Sequence, residues 1–178
     1  MSQQLIQRMR EGNRRYRAEA DAERRLALAR DGQKPYAIVV ACSDSRVIPE
    51  EIFHAESGEL FVIRVAGNVL DRHQLGSIEY AAAHLGTPLI VVLGHTGCGA
   101  VAAALSGESD GFIRFITDEI LEAIGETRDP GEACRRNVRH AMDRIEREFS
   151  SHPEIREPLI RGAVFDLESG EVSWLDGR

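Results

Sequence analysis

Leu89-Ile90-Val91-Val92-Leu93-Gly94-His95-Thr96-Gly97-Cys98-Gly99 is the stretch that decides the fold. It opens with five aliphatic residues in a row and no polar position to mark a solvent face. That pattern describes a strand over 89–93 buried on both sides, as in a parallel sheet covered by helices. The strand runs into a polar, glycine-rich segment and then an Ala-rich segment over 100–105. A second stretch of the same design lies upstream, Val39-Val40-Ala41-Cys42-Ser43-Asp44-Ser45-Arg46. Here a buried strand over 36–41 also ends in side chains capable of chemistry.

Working outward, a third strand is expected over 60–65, leading into Gly67-Asn68. Pro49-Glu50-Glu51 opens a short helix, because proline lacks only an N–H that a first helical turn leaves unpaired. A helix over 74–85 places Leu75, Ile78, Ala82 and Leu85 on one face. Surface helices are expected over 112–124 and 132–149, the latter with Val138, Met142 and Ile145 on one stripe. Segments 162–167 and 171–175, joined by Glu168-Ser169-Gly170, read as a terminal strand pair. Residues 1–30 read as helical, with few breakers apart from Gly12, Leu26 and Leu28 as apolar contacts near the end, and Asp31-Gly32 as the stop. Strands alternating with helices indicate an α/β fold: one domain over 1–178, with a mostly parallel central sheet, flanking helices and an antiparallel strand at its C-terminal edge.

The chain has 178 residues, 43% of them hydrophobic and only 6% aromatic, so its core should be mostly Val, Ile, Leu and Ala. A formal net charge of -7 with no compact basic patch argues against nucleic acid and anionic membranes as partners. The start, MSQQLIQRMREGNRRY, has no apolar core segment, and no apolar run approaches the roughly 20 residues needed to span a bilayer. The expected compartment is the cytoplasm. Three cysteines then point to metal or thiolate chemistry rather than a disulfide framework.

In open α/β sheets, ligands bind beyond the carboxyl ends of the strands. If the strands over 36–41 and 89–93 are neighbours, Cys42, His95 and Cys98 share one crevice. Two thiolates and one imidazole suit Zn2+ and leave a fourth position for water or a carboxylate. His95-x-x-Cys98 alone says little; its place after one buried strand, with Cys42 after another, says more. The plainer readings also stand on the residues alone. A free cysteine packs as a small hydrophobe, His95 can be a hydrogen-bonded core histidine, and Asp44 with Arg46 can be a structural ion pair. Gly94, Gly97 and Gly99 can mark an anion-binding turn, but the lysine and spacing of a P-loop are missing, as is G-x-G-x-x-G. Cys42 and Arg46 are too close for a phosphatase loop. Cys134 sits alone on a charged surface helix, with no ligand partner in sequence.

The chain resembles the β-class carbonic anhydrases over essentially its whole length. The resemblance is carried by Cys42-Ser43-Asp44-Ser45-Arg46, Arg64-Val65-Ala66-Gly67-Asn68, Gly94-His95-Thr96-Gly97-Cys98-Gly99 and Gly162-Ala163-Val164-Phe165-Asp166-Leu167. The paired Cys-x-Asp-x-Arg and His-x-x-Cys motifs, in this order, are specific to that family.

The resemblance implies one Zn2+ per chain on Cys42, His95 and Cys98, with Asp44–Arg46 as a catalytic dyad and Asp44 able to serve as fourth ligand in a closed state. It implies a substrate pocket involving Gln33, Phe61, Ala66 and Tyr80. The implied reaction is the reversible hydration of carbon dioxide to bicarbonate and a proton by zinc-bound hydroxide. A homodimer or even-numbered homo-oligomer is implied too, with the pocket completed across the interface and dimerisation helices at about residues 1–30. Family members with a bicarbonate-regulated closed site resemble one another in a tryptophan three residues before the first zinc cysteine and a glycine just before it. Val39 and Ala41 stand here, so the chain is more similar to the open subgroup. His54, His73 and His84 are candidates for proton transfer. Two other classes remain: a zinc hydrolase of carbon disulfide or carbonyl sulfide, and a non-enzymatic zinc or redox-sensing protein, against which the intact Asp44–Arg46 pair argues.

Overall fold

The computed structural model describes residues 2–150, 152 and 158–175. The chain separates into an N-terminal unit, residues 1–33, and an α/β unit, residues 34–178. The N-terminal unit holds two helices, α1 (Ser2–Glu19) and α2 (Ala22–Asp31), within the stretch that reads as helical from the sequence. Gly12 lies inside α1, since one glycine costs a helix only about 1 kcal/mol. The break falls at Ala20-Asp21, where the Asp21 side chain accepts the N–H of Arg24 and caps α2. Asp31-Gly32 ends the helix as expected, Gly32 taking φ +81°. Neither helix buries a residue; Leu5, Ile6, Met9, Tyr16 and Leu26 are all exposed.

The α/β unit is built on five strands: β1 (Ala37–Ala41), β2 (Leu60–Arg64), β3 (Leu89–His95), β4 (Leu159–Phe165) and β5 (Val172–Trp174). Their order across the sheet is β2-β1-β3-β4-β5. The first four run parallel, and β5 pairs antiparallel with β4, as the sequence indicates. The alternation of Cβ direction divides β1 between two cores. Ile38 and Val40 join Ile63, Ile90 and Val92 on one face, beneath α4 (Arg72–Glu79) and α7 (Pro130–Phe149). Ala37, Val39 and Ala41 join Leu60, Val91, Leu93 and Ala163 on the other, beside α3 (Pro49–Ile52). The buried residues of these two cores are aliphatic, with phenylalanines such as Phe61 and Phe165 packed against them only partly buried.

Helix α4 begins at a capping box made by Asp71 and Gln74 and widens into a π-helical turn over Tyr80–His84. Helices α5 (Gly99–Ser106) and α6 (Arg114–Ile124) complete the unit. Neither α6 nor α7 is merely a surface helix. Each buries one face, and α7 carries Val138 and Ile145 fully inside. Glycines let α7 approach the sheet closely: a Cβ on Gly94 would stand 2.6 Å from Val138 Cγ2, and one on Gly162 2.6 Å from Met142 Sδ. Gly94 therefore belongs to β3 and to helix packing, and is not part of an anion-binding turn.

The topology positions the site. From β1 the chain steps to β2 on one side and then to β3 on the other. The carboxyl ends of β1 and β3 thus flank the point where strand order reverses, where such sheets form a crevice.

Candidate metal centre

Ala41 of β1 is in register with Leu93 of β3, so Cys42 leaves its strand level with the end of β3. His95 is the last residue of β3, and Cys98 stands immediately before α5 as its N-cap. Two segments far apart in sequence, one carrying Cys42 and the other His95 and Cys98, bring three donor atoms to the same point. The ligand-capable atoms of Cys42, His95 and Cys98 lie within 4.8 Å of one another, and all three residues are buried.

The histidine shows how this group can work. His95 Nδ1 is 2.9 Å from the carbonyl of Thr96, and a carbonyl only accepts, so Nδ1 carries the proton. The lone pair is then on Nε2, which is buried and has no hydrogen-bond partner. An orphaned buried acceptor is costly unless something takes it up. A metal ion does so, and the Nδ1–H to carbonyl bond is the usual means of orienting a ligating imidazole. Two sulfurs and one nitrogen are a donor set that fits Zn2+, with a fourth position to spare.

The backbone prepares the sulfurs for that charge. Gly67 N–H donates to Cys42 Sγ at 3.2 Å. The Cys42 thiol is held down, first by the neighbouring Cys98, against the effect of burial, and then by His95 and by the N–H groups of Asp44 and Gly67. Cys98 is pushed up by the Cys42 sulfur and by burial, while the N–H groups of Ala100 and Val101 at the start of α5 act the other way. His95 is raised: burial opposes the charged ring, and the Cys42 sulfur, the Thr96 carbonyl and Asp44 outweigh it.

Asp44 is the next shell outward, and Arg46 grips it with both ends of the fork. Arg46 Nε donates to Oδ1 at 2.9 Å and Nη2 to Oδ2 at 2.7 Å, while the Arg46 backbone N–H also donates to Oδ1. Side chain and backbone of Arg46 together hold the Asp44 carboxyl well below the usual carboxylate range. Arg46 further reaches the carbonyl of Gly97, tying the β1 loop to the β3 loop. Asp44 Oδ2 lies 4.0 Å from His95 Nε2, so the carboxylate stands at the edge of the donor cluster but outside it.

Four contributors carried no role in the sequence. Arg64, at the end of β2, donates to the carbonyls of Cys42 and Asp44 and fixes the loop between them. Gly67 supplies the N–H to Cys42. From α7, Asn137 donates to the Gly67 carbonyl at 2.7 Å, and Cys134 donates to the His95 carbonyl at 3.3 Å. Cys134 is thus no lone surface residue. It is buried against the back of β3, and burial raises its thiol to about 11, consistent with a packing role and not a ligand.

The other sequence candidates are more dispersed. Ala66 is half-buried in the 3-10 turn Ala66–Asn68, beside the Gly67 N–H. Phe61 and Tyr80 face each other, ring centroids 6.2 Å apart, and Tyr80 is half exposed. Phe61 pairs with Ile38, four residues before Cys42, which is about 13 Å along a strand. Gln33 is exposed in the N-terminal unit. His84 lies against the Tyr80 ring at a tilt, and His73 sits against Asp71 in the first turn of α4. His54 follows α3 with φ +50°.

The profile of the carbonic anhydrase family matches residues 37–172, a span that contains every donor described above. The chain belongs to the β-carbonic anhydrase family. Carbonic anhydrase from Pseudomonas aeruginosa is 38% identical over 165 residues, covering 82% of this chain and 75% of that protein. Carbonic anhydrase 2 from Mycobacterium tuberculosis is 43% identical over 127 residues, covering 65% of this chain and 61% of that protein. The chain thus spans less than two thirds of the M. tuberculosis relative. Among solved structures, the β-carbonic anhydrase CafA of Aspergillus fumigatus aligns with a TM-score of 0.78 at 25% identity, covering 97% of this chain and 91% of that one. The β-carbonic anhydrase fold accounts for the parallel sheet, its antiparallel edge and the crevice between β1 and β3.

Proposed function

We propose that this protein is a carbonic anhydrase, hydrating carbon dioxide reversibly to bicarbonate and a proton at one Zn2+ per chain. One observation carries the reading. Three convergent buried donors lie beside a carboxylate that arginine grips by both oxygens and whose Oδ2 is 4.0 Å from His95 Nε2. Zinc held by Cys42, His95 and Cys98 supplies a Lewis acid that brings the pKa of water toward neutrality, less far with two thiolates than with three histidines.

The chain's own groups do the rest. Asp44, kept ionised by Arg46, only accepts hydrogen bonds, so it fixes the direction in which a neighbouring O–H points and turns the oxygen lone pair toward carbon dioxide. Arg46 keeps the carboxylate off the ligand cluster by occupying both of its oxygens. Carbon dioxide is small and apolar, and aliphatic side chains such as Val65 and Val69 near the crevice offer it a surface without competing polar groups. We assign Gln33, Phe61, Ala66 and Tyr80 to the substrate pocket. Because Phe61 lies about 13 Å down its strand from the level of Cys42, its part in a pocket is best met by a second copy of the chain. That supports a homodimer or an even-numbered assembly, with the exposed Leu5, Ile6 and Met9 of α1 available to it. A two-fold pair is also the commonest arrangement of identical chains. Three free thiols favour a reducing, cytoplasmic setting. Among the described residues no helix is long and apolar enough to cross a membrane.

Stopped-flow measurement of carbon dioxide hydration on zinc-verified protein tests the activity. Zinc at one per chain without hydration would refute it. Light scattering that finds an active, stable monomer would refute the assembly.

A further inference from the structure

The interior of α7 carries an asparagine, a poor choice for a helix because its side chain competes with the backbone and, once buried, has to be paired. Asn137 is 3% exposed, and its Nδ2 donates to the carbonyl of Gly67 at 2.7 Å. The same glycine donates its N–H to Cys42 Sγ at 3.2 Å. Only the φ and ψ of Gly67, +69° and 13°, separate the two peptide planes concerned.

Glycine places little steric limit on those angles. No other residue can take its place, because φ is positive and a Cβ would stand 2.8 Å from Ile120 Cδ1 and 3.0 Å from Ala100 Cβ. The residue that directs an N–H at a ligand sulfur is therefore the one least able to hold its own conformation, and Asn137 holds it from outside. One turn earlier on α7, Cys134 donates to the His95 carbonyl. A single helix face thus grips the backbone of two segments that serve the donor cluster.

We propose that Asn137 is a positioning residue of the metal centre: by holding the Gly67 carbonyl it aims the Gly67 N–H at Cys42 and sets the geometry and donor strength of that thiolate. The inference rests on Cys42, His95 and Cys98 being the metal ligands.

The test uses the full chain and two readouts, zinc affinity by chelator competition and the visible spectrum of the cobalt-substituted protein. Asn137→Asp keeps the shape but turns an acceptor toward the carbonyl. Zinc affinity should fall about 10- to 100-fold, the usual effect of losing an outer partner of a ligand. The thiolate-to-cobalt band should move to longer wavelength, since a sulfur that loses an N–H donor gives up its electrons more easily. Ile145→Val, buried on the same helix away from Gly67, is the packing control and should leave both readouts unchanged. Wild-type affinity and spectrum in Asn137→Asp overturn the proposal, and so does an equal loss in Ile145→Val. If Asn137→Asp does not fold, Asn137→Ser, too short to reach Gly67, is read in the same way. A wild-type chain that holds no zinc is a different result: it overturns the metal-centre reading itself.

Discussion

Adding one methyl group at Gly94 tests how the fold controls the site, because that residue joins the packing of α7 to the placement of His95. In Gly94→Ala the new Cβ would stand 2.6 Å from Val138 Cγ2 and 2.9 Å from Cys134 Sγ. Carbon atoms pack at about 3.5–4.0 Å, so roughly 1 Å has to be recovered between a central strand and a helix. Overpacking of this kind costs about 1–3 kcal/mol. With two contacts, both to side chains fixed on the same helix, the upper half of that range applies, about 2–3 kcal/mol. At about 2–4 °C per kcal/mol for a chain of this size, the melting temperature should fall by about 4–12 °C. The strand can yield only by moving His95, the next residue, so zinc affinity by chelator competition should fall as well. Val138→Ala removes the closer of the two obstacles. In the double variant the two losses should therefore not add, leaving a coupling of about 0.5–3 kcal/mol by calorimetry or denaturant titration. A Gly94→Ala protein with wild-type stability and zinc affinity, or a strictly additive cycle, would refute the reasoning.

Arg46→Ala frees a carboxylate whose Oδ2 already lies 4.0 Å from His95 Nε2. The variant should retain zinc but lose most carbon dioxide hydration near neutral pH, with Asp44 on the metal in its crystal structure; wild-type turnover would exclude this role for the dyad. Cys98→Ser should lose most of its zinc by metal analysis, while Cys134→Ser, which keeps a donor to the His95 carbonyl, should keep it. Glu132 is held below its ordinary carboxylate value of 4.5 by Arg136 and Arg135, so it stabilises the fold above that value and ceases to as pH falls through the lower folded one. Thermal unfolding followed by circular dichroism should thus show a smaller loss between pH 6 and pH 3 in Glu132→Gln than in the wild type; an unchanged difference contradicts the linkage.

The elements that were legible in the sequence are those whose signals are local. Five aliphatic residues before Gly94, bounded by glycine, read as a strand buried on both faces, and β3 is one. The stripe of Val138, Met142 and Ile145 needs only helical periodicity. The N-terminal break leaves little trace in the sequence for a physical reason. Gly12 is a weak breaker whose cost is spread along an 18-residue helix, whereas Asp21 starts a second helix by a single side-chain bond to the backbone. Cys134 reads as a surface residue because its neighbours are charged. On a helix with one buried stripe, composition averages over both faces and hides which residue points inward.

The metal donors and their outer supports differ in legibility for a deeper reason. Cys42, His95 and Cys98 act through side chains, so residue identity records their chemistry, and the pairing of β1 with β3 only has to bring them together. Arg64, Asn137 and Cys134 act on carbonyls of Cys42, Asp44, Gly67 and His95. Every residue has a carbonyl, so the accepting half of each bond leaves no trace in the sequence, and the donating half lies 20 to 70 positions away. The one local sign is a residue ill-suited to its element, such as an asparagine inside a helix. Where propensity is sacrificed at a position that turns out to be buried, the cause should be sought in a backbone group on another segment. In this chain that search leads from α7 back to the turn beside Cys42.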